Sequence, residues 1–400
     1  MGVLGFLWFV LVILPWRVVH QALQAVNGKG SRFRKYRTDA LRSGLLELAS
    51  QAFRIDPKYH WLVNLRPQTL LHLVERSHKS IVSTLPNYGK FFDSQSYWIV
   101  EQPDRQKSDP ILIYLHGGGF TFQAVPQQIE AVLSIYALTS PETRKRLSIL
   151  NLNYKLAGNG YPNPIQLKQL GSTYENLVRE GNSNFIFLGD SAGGTLAVTY
   201  LQALKENQKV LPLPFPKALL LVSPWIKLKP DYNDYQPGHS YYDNDSRDYI
   251  PWSVLRSPKR LQVITGDSKI DTLTISPGNC PANHDDWDIS TLENVIVVTG
   301  EDEIIRDDIF NWCKIALGIP IDAASFAKDS EGVVLDRHKY VRNQDKIQVH
   351  VEPYGVHDAM LLEAMSIMSE LDDGVEPENI SRVKYFGIPK LAAYLDNVCH

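Results

Sequence analysis

The sequence predicts one large α/β domain, built on a mostly parallel sheet with helices on both faces. Three observations point there. Short continuous apolar runs recur at residues 110–115, 185–188, 218–222 and 295–298, as strands buried on both faces require. Stretches with helical patterning separate them, so strand and helix alternate as parallel crossover units do. Finally, 44% of the 400 residues are hydrophobic and 21% charged, which suits a large buried core and neither a disordered chain nor a coiled coil.

Charge and cysteine content remove several function classes. A formal net charge of −3 leaves no basic footprint for nucleic acid. Cys280, Cys313 and Cys399 fit no zinc spacing or redox pair and are too few for a disulfide framework. No metal and no cofactor is expected.

The N-terminus differs from the rest. Residues 1–16 carry no charge, and Val18 and Val19 extend the apolar run past Arg17. A spanning helix needs about 17–25 apolar residues, so residues 1–20 sit at the short limit. Three readings fit: a membrane anchor, a cleaved signal peptide that lacks a charged n-region and an A-x-A-like site, and a buried helix of the domain. Orientation stays open. Arg17, Lys29, Arg32, Arg34, Lys35 and Arg37 follow the run and favour a cytosolic side for it. Sequons at Asn244 and Asn379 favour a lumenal domain. Residues 21–107 read as an N-terminal extension of helical and mixed character, able to form part of a cap.

The chemistry starts at Phe185–Leu188, a buried strand, followed by Gly189-Asp190-Ser191-Ala192-Gly193 and a helical pattern from Thr195. G-x-S-x-G between strand and helix is a nucleophile elbow: a strained turn presents Ser191 Oγ at the C-terminal edge of the sheet, and small residues two before and two after it avoid a clash. The same letters occur around the nucleophile of trypsin-like proteases, but those are all-β and place His and Asp before Ser.

The strand at 110–115 runs into His116-Gly117-Gly118-Gly119-Phe120, an HGGG-type loop. Glycine lets the backbone approach a reacting carbonyl and aim its N–H groups at it. The expected oxyanion donors are Gly117, Gly118 and Ala192, with His116 bracing the loop.

In motif, order and spacing, the chain from about residue 108 onward resembles the hormone-sensitive-lipase-like α/β-hydrolases. HGGGF and GDSAGG carry the resemblance, with Leu150–Pro164 similar to the family's YRLAP strand and Pro-rich stretch, and Ala218–Trp225 similar to its strand ending in SPW. The resemblance implies an α/β-hydrolase domain over 108–400 and a triad in the order Ser, acid, His. The acid segment, Gly300-Glu301-Asp302-Glu303 before Arg306-Asp307, departs from the family's DPLRD by one residue. Counting from Gly300, Asp302 fits; counting back from Arg306, Glu303 fits. Asp is the commoner occupant, which favours Asp302. Glu301, Asp307 and Asp308 are expected to cap or solvate the next helix. After the strand at 346–353, Gly355 followed closely by His357 falls at the position of the family's GxxH, which implies His357 as the general base; His350, inside the alternating strand, is structural.

Residues 227–290 are Tyr-, Asp- and Pro-rich and interrupt the core pattern, as an excursion over the site would. With an N-terminal membrane segment, the architecture is similar to the fungal steryl acetyl hydrolases. That resemblance implies deacetylation of sterol acetates, a lipid-soluble ester substrate, and a single-pass location at the endoplasmic reticulum membrane. Two alternatives stand beside it: a broad carboxylesterase or acylglycerol lipase, and a non-catalytic membrane-anchored binding protein on the same fold.

Overall fold

A computed structural model describes residues 12–26, 30–283, 287–289, 292–321 and 338–400. The strands are β1 (Phe91–Asp93), β2 (Ser96–Val100), β3 (Ile111–Leu115), β4 (Ser148–Leu152), β5 (Phe185–Asp190), β6 (Ala218–Val222), β7 (Asn294–Gly300), β8 (Lys339–Arg342) and β9 (Ile347–Glu352). Among the described residues they form one sheet in the order β1-β2-β4-β3-β5-β6-β7-β9-β8. From β4 to β9 neighbours are parallel, and the two edges are closed by antiparallel pairs. β1 and β2 precede residue 108, where the resemblance begins, so the sheet draws on residues assigned from sequence to the N-terminal extension.

The longer helices are α1 (Leu14–Val26), α2 (Ala40–Arg54), α3 (Pro67–Ser77), α4 (Pro126–Leu138), α5 (Ile165–Arg179), α6 (Ala192–Asn207), α7 (Arg306–Ala316), α8 (Met360–Asp372) and α9 (Gly387–Cys399). Side chains alternate along each strand, so every central strand feeds two cores. Ile111, Ile113 and Leu115 point to one face, where Tyr174 of α5, Leu196 of α6 and Phe310 of α7 meet them. Leu112 and Tyr114 point to the other, against Val74 of α3, Ile129 of α4, Ile367 of α8 and Leu391 of α9. Burial on both faces is why the strands read as unbroken apolar runs.

The expected membrane segment at 1–20 lies mostly outside the described residues. Among those described, no helix is long and apolar enough to cross a membrane. The described part of α1, Leu14–Val26, has 13 residues, about 20 Å at ~1.5 Å per residue, against a hydrocarbon core of about 30 Å. Its Val18 and Ala22 face Gly44 of α2. Trp16, Val19, Leu23 and Val26, at helical spacing on the other side, are exposed. α2 and the short helices at Trp252–Leu255 and Pro258–Thr265 line the cavities at Ser191 and His357 and form, with the short helix at Ser240–Asp243, a cover.

Candidate active site

The turn from β5 into α6 holds Ser191 at φ 48°, ψ −116°, a conformation that costs a non-glycine residue energy and persists only where the surroundings enforce it. They do so by contact. A Cβ on Gly193 would lie 1.8 Å from Leu115 O, and one on Gly189 would lie 2.6 Å from Gly193 C. The Ser191 amide donates to Val222 O, and Ser191 O accepts from the Trp225 amide. The elbow is thereby tied to the end of β6 and the loop after it.

Asp190, the variable residue of the motif, holds the glycine loop. Its buried carboxylate accepts from Tyr114 Oη at 2.6 Å, Gln128 Nε2 at 2.7 Å and the Gly117 amide at 3.0 Å. The Gly117 N–H is therefore committed, and this corrects its expected role as an oxyanion donor. Glycine is needed there for a different reason: a Cβ would lie 2.4 Å from Asp190 Oδ2. Gly118 and Gly119 turn the loop at φ +108° and +58°. His116 stacks on Tyr154 with ring centroids 4.1 Å apart, and its Nδ1 bonds to Gly117 O. Burial lowers its pKa to about 4, so it braces the loop as a neutral ring.

Between the two candidate acids the structure separates clearly. Glu303 Oε1 lies 2.6 Å from His357 Nδ1. Its other oxygen accepts from Ser223 Oγ at 3.1 Å, the Gly300 amide at 2.9 Å and Thr299 Oγ1, so both oxygens of this buried carboxylate have partners. Asp302, favoured from sequence, points away: Arg34 Nε donates to its Oδ2 at 2.7 Å. The turn after β7 has one residue more than the family pattern, and the longer Glu side chain crosses the difference. Glu301, Asp307 and Asp308 are not solvated caps either. Asp307 accepts from the Ser240 amide at 2.9 Å and Asp308 from Tyr241 Oη, anchoring the 240–243 helix of the cover, while Glu301 accepts from the Tyr354 amide at 2.9 Å.

His357 is 1% exposed, and its Nε2 has no hydrogen-bond partner among the described residues. Asp248, which carries no sequence signal, accepts from the His357 amide at 3.1 Å and the Ile304 amide at 2.9 Å. Asn244 donates to the carbonyls of Glu301 and Glu303 at 3.1 and 2.9 Å. Asn244 is only 1% exposed, so its sequon is closed to a glycan in the folded chain. Asp358 places Oδ2 at 3.4 Å from His357 Nε2. Burial by itself would lower the His357 pKa; the carboxylates of Asp358, Glu303 and Asp248 outweigh it and raise the value to about 10. Burial, and the neighbouring Asp190, Glu303 and Asp248, push Asp358 well above the usual carboxylate range.

Ser191 and His357 open on one small cavity of about 30 Å³, walled by Phe53, Gly119, Trp225, Ile250, Leu255 and Ile264. A second cavity of about 270 Å³ meets His357 from another side, between α2 (Leu45, Leu48, Ala49) and α8 (Leu361, Leu362, Met365). Both are lined mainly by apolar side chains. The cover therefore comes partly from the N-terminal extension, through Phe53 and the Leu45–Ala49 face, and partly from the 227–290 excursion.

The model of the steryl acetyl hydrolase family matches residues 76–337. The Schizosaccharomyces pombe protein mug81, provisionally named a steryl acetyl hydrolase, is 31% identical over 252 residues, 60% of this chain and 65% of that one. An acetyl-hydrolase of Streptomyces hygroscopicus is 26% identical over 53% of this chain and 62% of its own length. The chain thus spans just under two thirds of each of these two relatives. Among solved structures, the esterase EstE5 superposes with a TM-score of 0.55 at 16% identity, covering 84% of this chain and 92% of its own. An esterase of the bacterial hormone-sensitive lipase family gives 0.50 at 18% identity, over 89% and 98%. These neighbours show the α/β-hydrolase fold. With the family model matched over more than half its length, the chain belongs to the steryl acetyl hydrolase family.

Proposed function

We propose that this protein is a serine carboxylic-ester hydrolase acting on acetate esters of lipid-soluble alcohols, with sterol acetates as its substrate class. The observation that carries this reading is that Ser191 and His357 line one small, mainly apolar cavity, while Glu303 Oε1 lies 2.6 Å from His357 Nδ1 on the far side of the ring. The small room beside Ser191 suits a short acyl group such as acetyl better than a long chain. The apolar cavity between α2 and α8, about 270 Å³, suits the body of an apolar alcohol.

The steps follow from the parts. His357 Nε2 takes the proton of Ser191 Oγ, which attacks the ester carbonyl, while Glu303 steadies the imidazolium through Nδ1. The amides of Gly118 and Ala192, joined by Gly119 at the cavity wall, receive the oxyanion. His357 protonates the departing alcohol, and water, deprotonated by the same base, releases acetate. No cofactor enters.

The same reading places the protein at the endoplasmic reticulum membrane, held by residues 1–20, with its catalytic domain in the lumen. The exposed apolar stripe of α1 supports attachment. Three of the six basic residues after the apolar run, Arg32, Arg34 and Lys35, are paired within the domain, which weakens the charge argument for a cytosolic side. Asn379 is exposed and is the sequon to test: a glycosidase-induced mobility shift that Asn379→Gln abolishes supports a lumenal domain.

For activity, membranes carrying the protein are assayed on a sterol acetate and on p-nitrophenyl esters of rising chain length, with Ser191→Ala as blank. Turnover of the sterol acetate and a steep fall beyond acetyl are expected. A preference for longer chains without sterol acetate turnover would overturn the substrate class and favour a broad carboxylesterase.

A further inference from the structure

The basic residues 32–35 reach past the N-terminal helices and touch three separate parts of the catalytic apparatus. Arg32 Nη1 donates to Asp248 O at 2.7 Å, and the Asp248 side chain holds the His357 amide. Arg34 forms a two-point ion pair with Asp302, the residue before Glu303. The Arg34 guanidinium also lies 4.4 Å from the ring centre of Tyr354, in the loop that ends at His357. Lys35 bridges Glu352, at the end of β9, and Glu363 of α8, the latter at 3.5 Å. One short segment therefore ties together the turn carrying the acid, the loop carrying the base and the helix that follows the base. Backbone bonds already join the two loops, Glu301 N to Glu352 O at 2.9 Å and Asp302 N to Gly355 O at 2.8 Å. The side chains of Asp302 and Glu352 are 0% and 4% exposed, so breaking either pair leaves a buried group without its partner.

We propose that residues 32–35 form an ionic clasp that sets the position of Glu303 against His357, with Arg34 as its principal positioning residue. This rests on Ser191, His357 and Glu303 being the hydrolytic triad. It also gives the extra residue of the acid turn a purpose: Asp302 is the handle by which the N-terminal segment holds that turn. Arg34 touches no reacting atom. Its loss lets Asp302 seek solvent or another cation, Arg247 at 4.0 Å being the nearest, and the Glu303 carboxylate shifts with it.

The test uses the full-length protein and reads kcat, KM and the rate at which a fluorophosphonate labels Ser191, which reports activation of the serine independently of ester binding. Arg34→Gln is expected to lower kcat and the labelling rate together, between about tenfold and a hundredfold, with KM within about twofold of wild type. Arg34→Lys should recover part of the loss. Asp302→Asn should fall less, and the double variant Arg34→Gln/Asp302→Asn should be faster than Arg34→Gln alone, because no buried carboxylate is left unpaired. Lys346→Gln, which breaks a surface pair with Glu293, is the control. The proposal is overturned if folded Arg34→Gln keeps wild-type kcat and labelling, or if the double variant is no faster than Arg34→Gln. Should Arg34→Gln fail to fold, Arg34→Lys and the double variant decide: both at wild-type rates would sink the clasp. A wild-type protein that neither labels nor cleaves any ester overturns the hydrolase reading itself, whereas an active wild type with indifferent variants overturns the clasp alone.

Discussion

Glu303 and Asp302 are neighbours in sequence with opposite surroundings. Glu303 meets an imidazole and three hydrogen-bond donors, whereas Asp302 meets a guanidinium. Glu303→Gln keeps the volume but removes the charge that steadies the imidazolium, so kcat is expected to drop about 10³-fold or more. Asp302→Asn should cost far less. Steady-state kinetics on the two purified variants checks this, and equal losses would return the assignment to open choice. Asp358 is the largest influence raising the His357 pKa. Its carboxylate favours the imidazolium, so wild-type kcat/KM should climb with pH well above the ordinary histidine range. Removing that charge in Asp358→Asn should lower the His357 pKa and move the rising limb to lower pH. A pH–rate profile from 6 to 10 measures it; an unmoved limb would mean that Asp358 is already neutral throughout.

At the scale of the element, the β5–α6 elbow depends on absent side chains more than on present ones. Gly193 lies so close to β3 that a methyl would overlap Leu115 O. Gly193→Ala should therefore displace α6 or prevent folding, a loss of several kcal/mol from overpacking with backbone as the obstacle. A soluble variant with wild-type melting temperature would contradict this geometry. The HGGG loop obeys the same logic, since Gly117 is small in order to admit Asp190 beside it. The strand between them, β3, supplies Tyr114, whose hydroxyl completes the Asp190 shell. Elbow, loop and strand are consequently one hydrogen-bonded unit.

Across the whole molecule, three buried histidines are kept neutral in widely separated places. Burial lowers His60 and His116 to about 4 and His350 to about 3. Their folded pKa values lie below the unfolded value near 6.5, so the unfolded state takes up protons first as pH falls. The stability they contribute is full above about pH 6.5 and is lost progressively toward pH 4, each site giving up roughly 1.4 kcal/mol for every pH unit crossed between its unfolded and folded values. Buried Asp248 and Asp308, raised to about 6, and Glu352, raised to about 8, act with the opposite sign over the same range, so the measurement is a difference: in thermal melts by circular dichroism at pH 7.5, 6.0 and 5.0 the wild-type midpoint should fall relative to that of His350→Gln as pH drops below 6.5. A constant difference between the two proteins would refute it. The cover is also a property of the whole chain, because the N-terminal α2 and the 227–290 excursion meet over Ser191 only when the sheet has brought them together.

Local pattern sufficed for much of this. Buried parallel strands read as apolar runs because both faces are covered, and the elbow and glycine loop are legible because steric need forces glycine at fixed offsets. Ser191 and His357 were singled out that way, each at the end of a recognisable strand, and the structure brings both to one cavity. The edge strands β1 and β8 were not, being short and partly exposed, and neither was β2, which is buried but lies ahead of the motifs. Long-range pairing also left no trace in the order of residues. Asp248 and Asn244 are held against the triad from more than 50 positions away. The choice of Glu303 over Asp302 turned on Arg34, 268 positions distant, and the commitment of the Gly117 amide turned on where the Asp190 carboxylate points. Sequence alone determined which backbone turns present the chemistry, since those are set by neighbours within a few residues. Only the tertiary structure decided which carboxylate contacts the histidine and which glycine-loop amide is taken by Asp190, because buried charges and donors choose partners by distance in space.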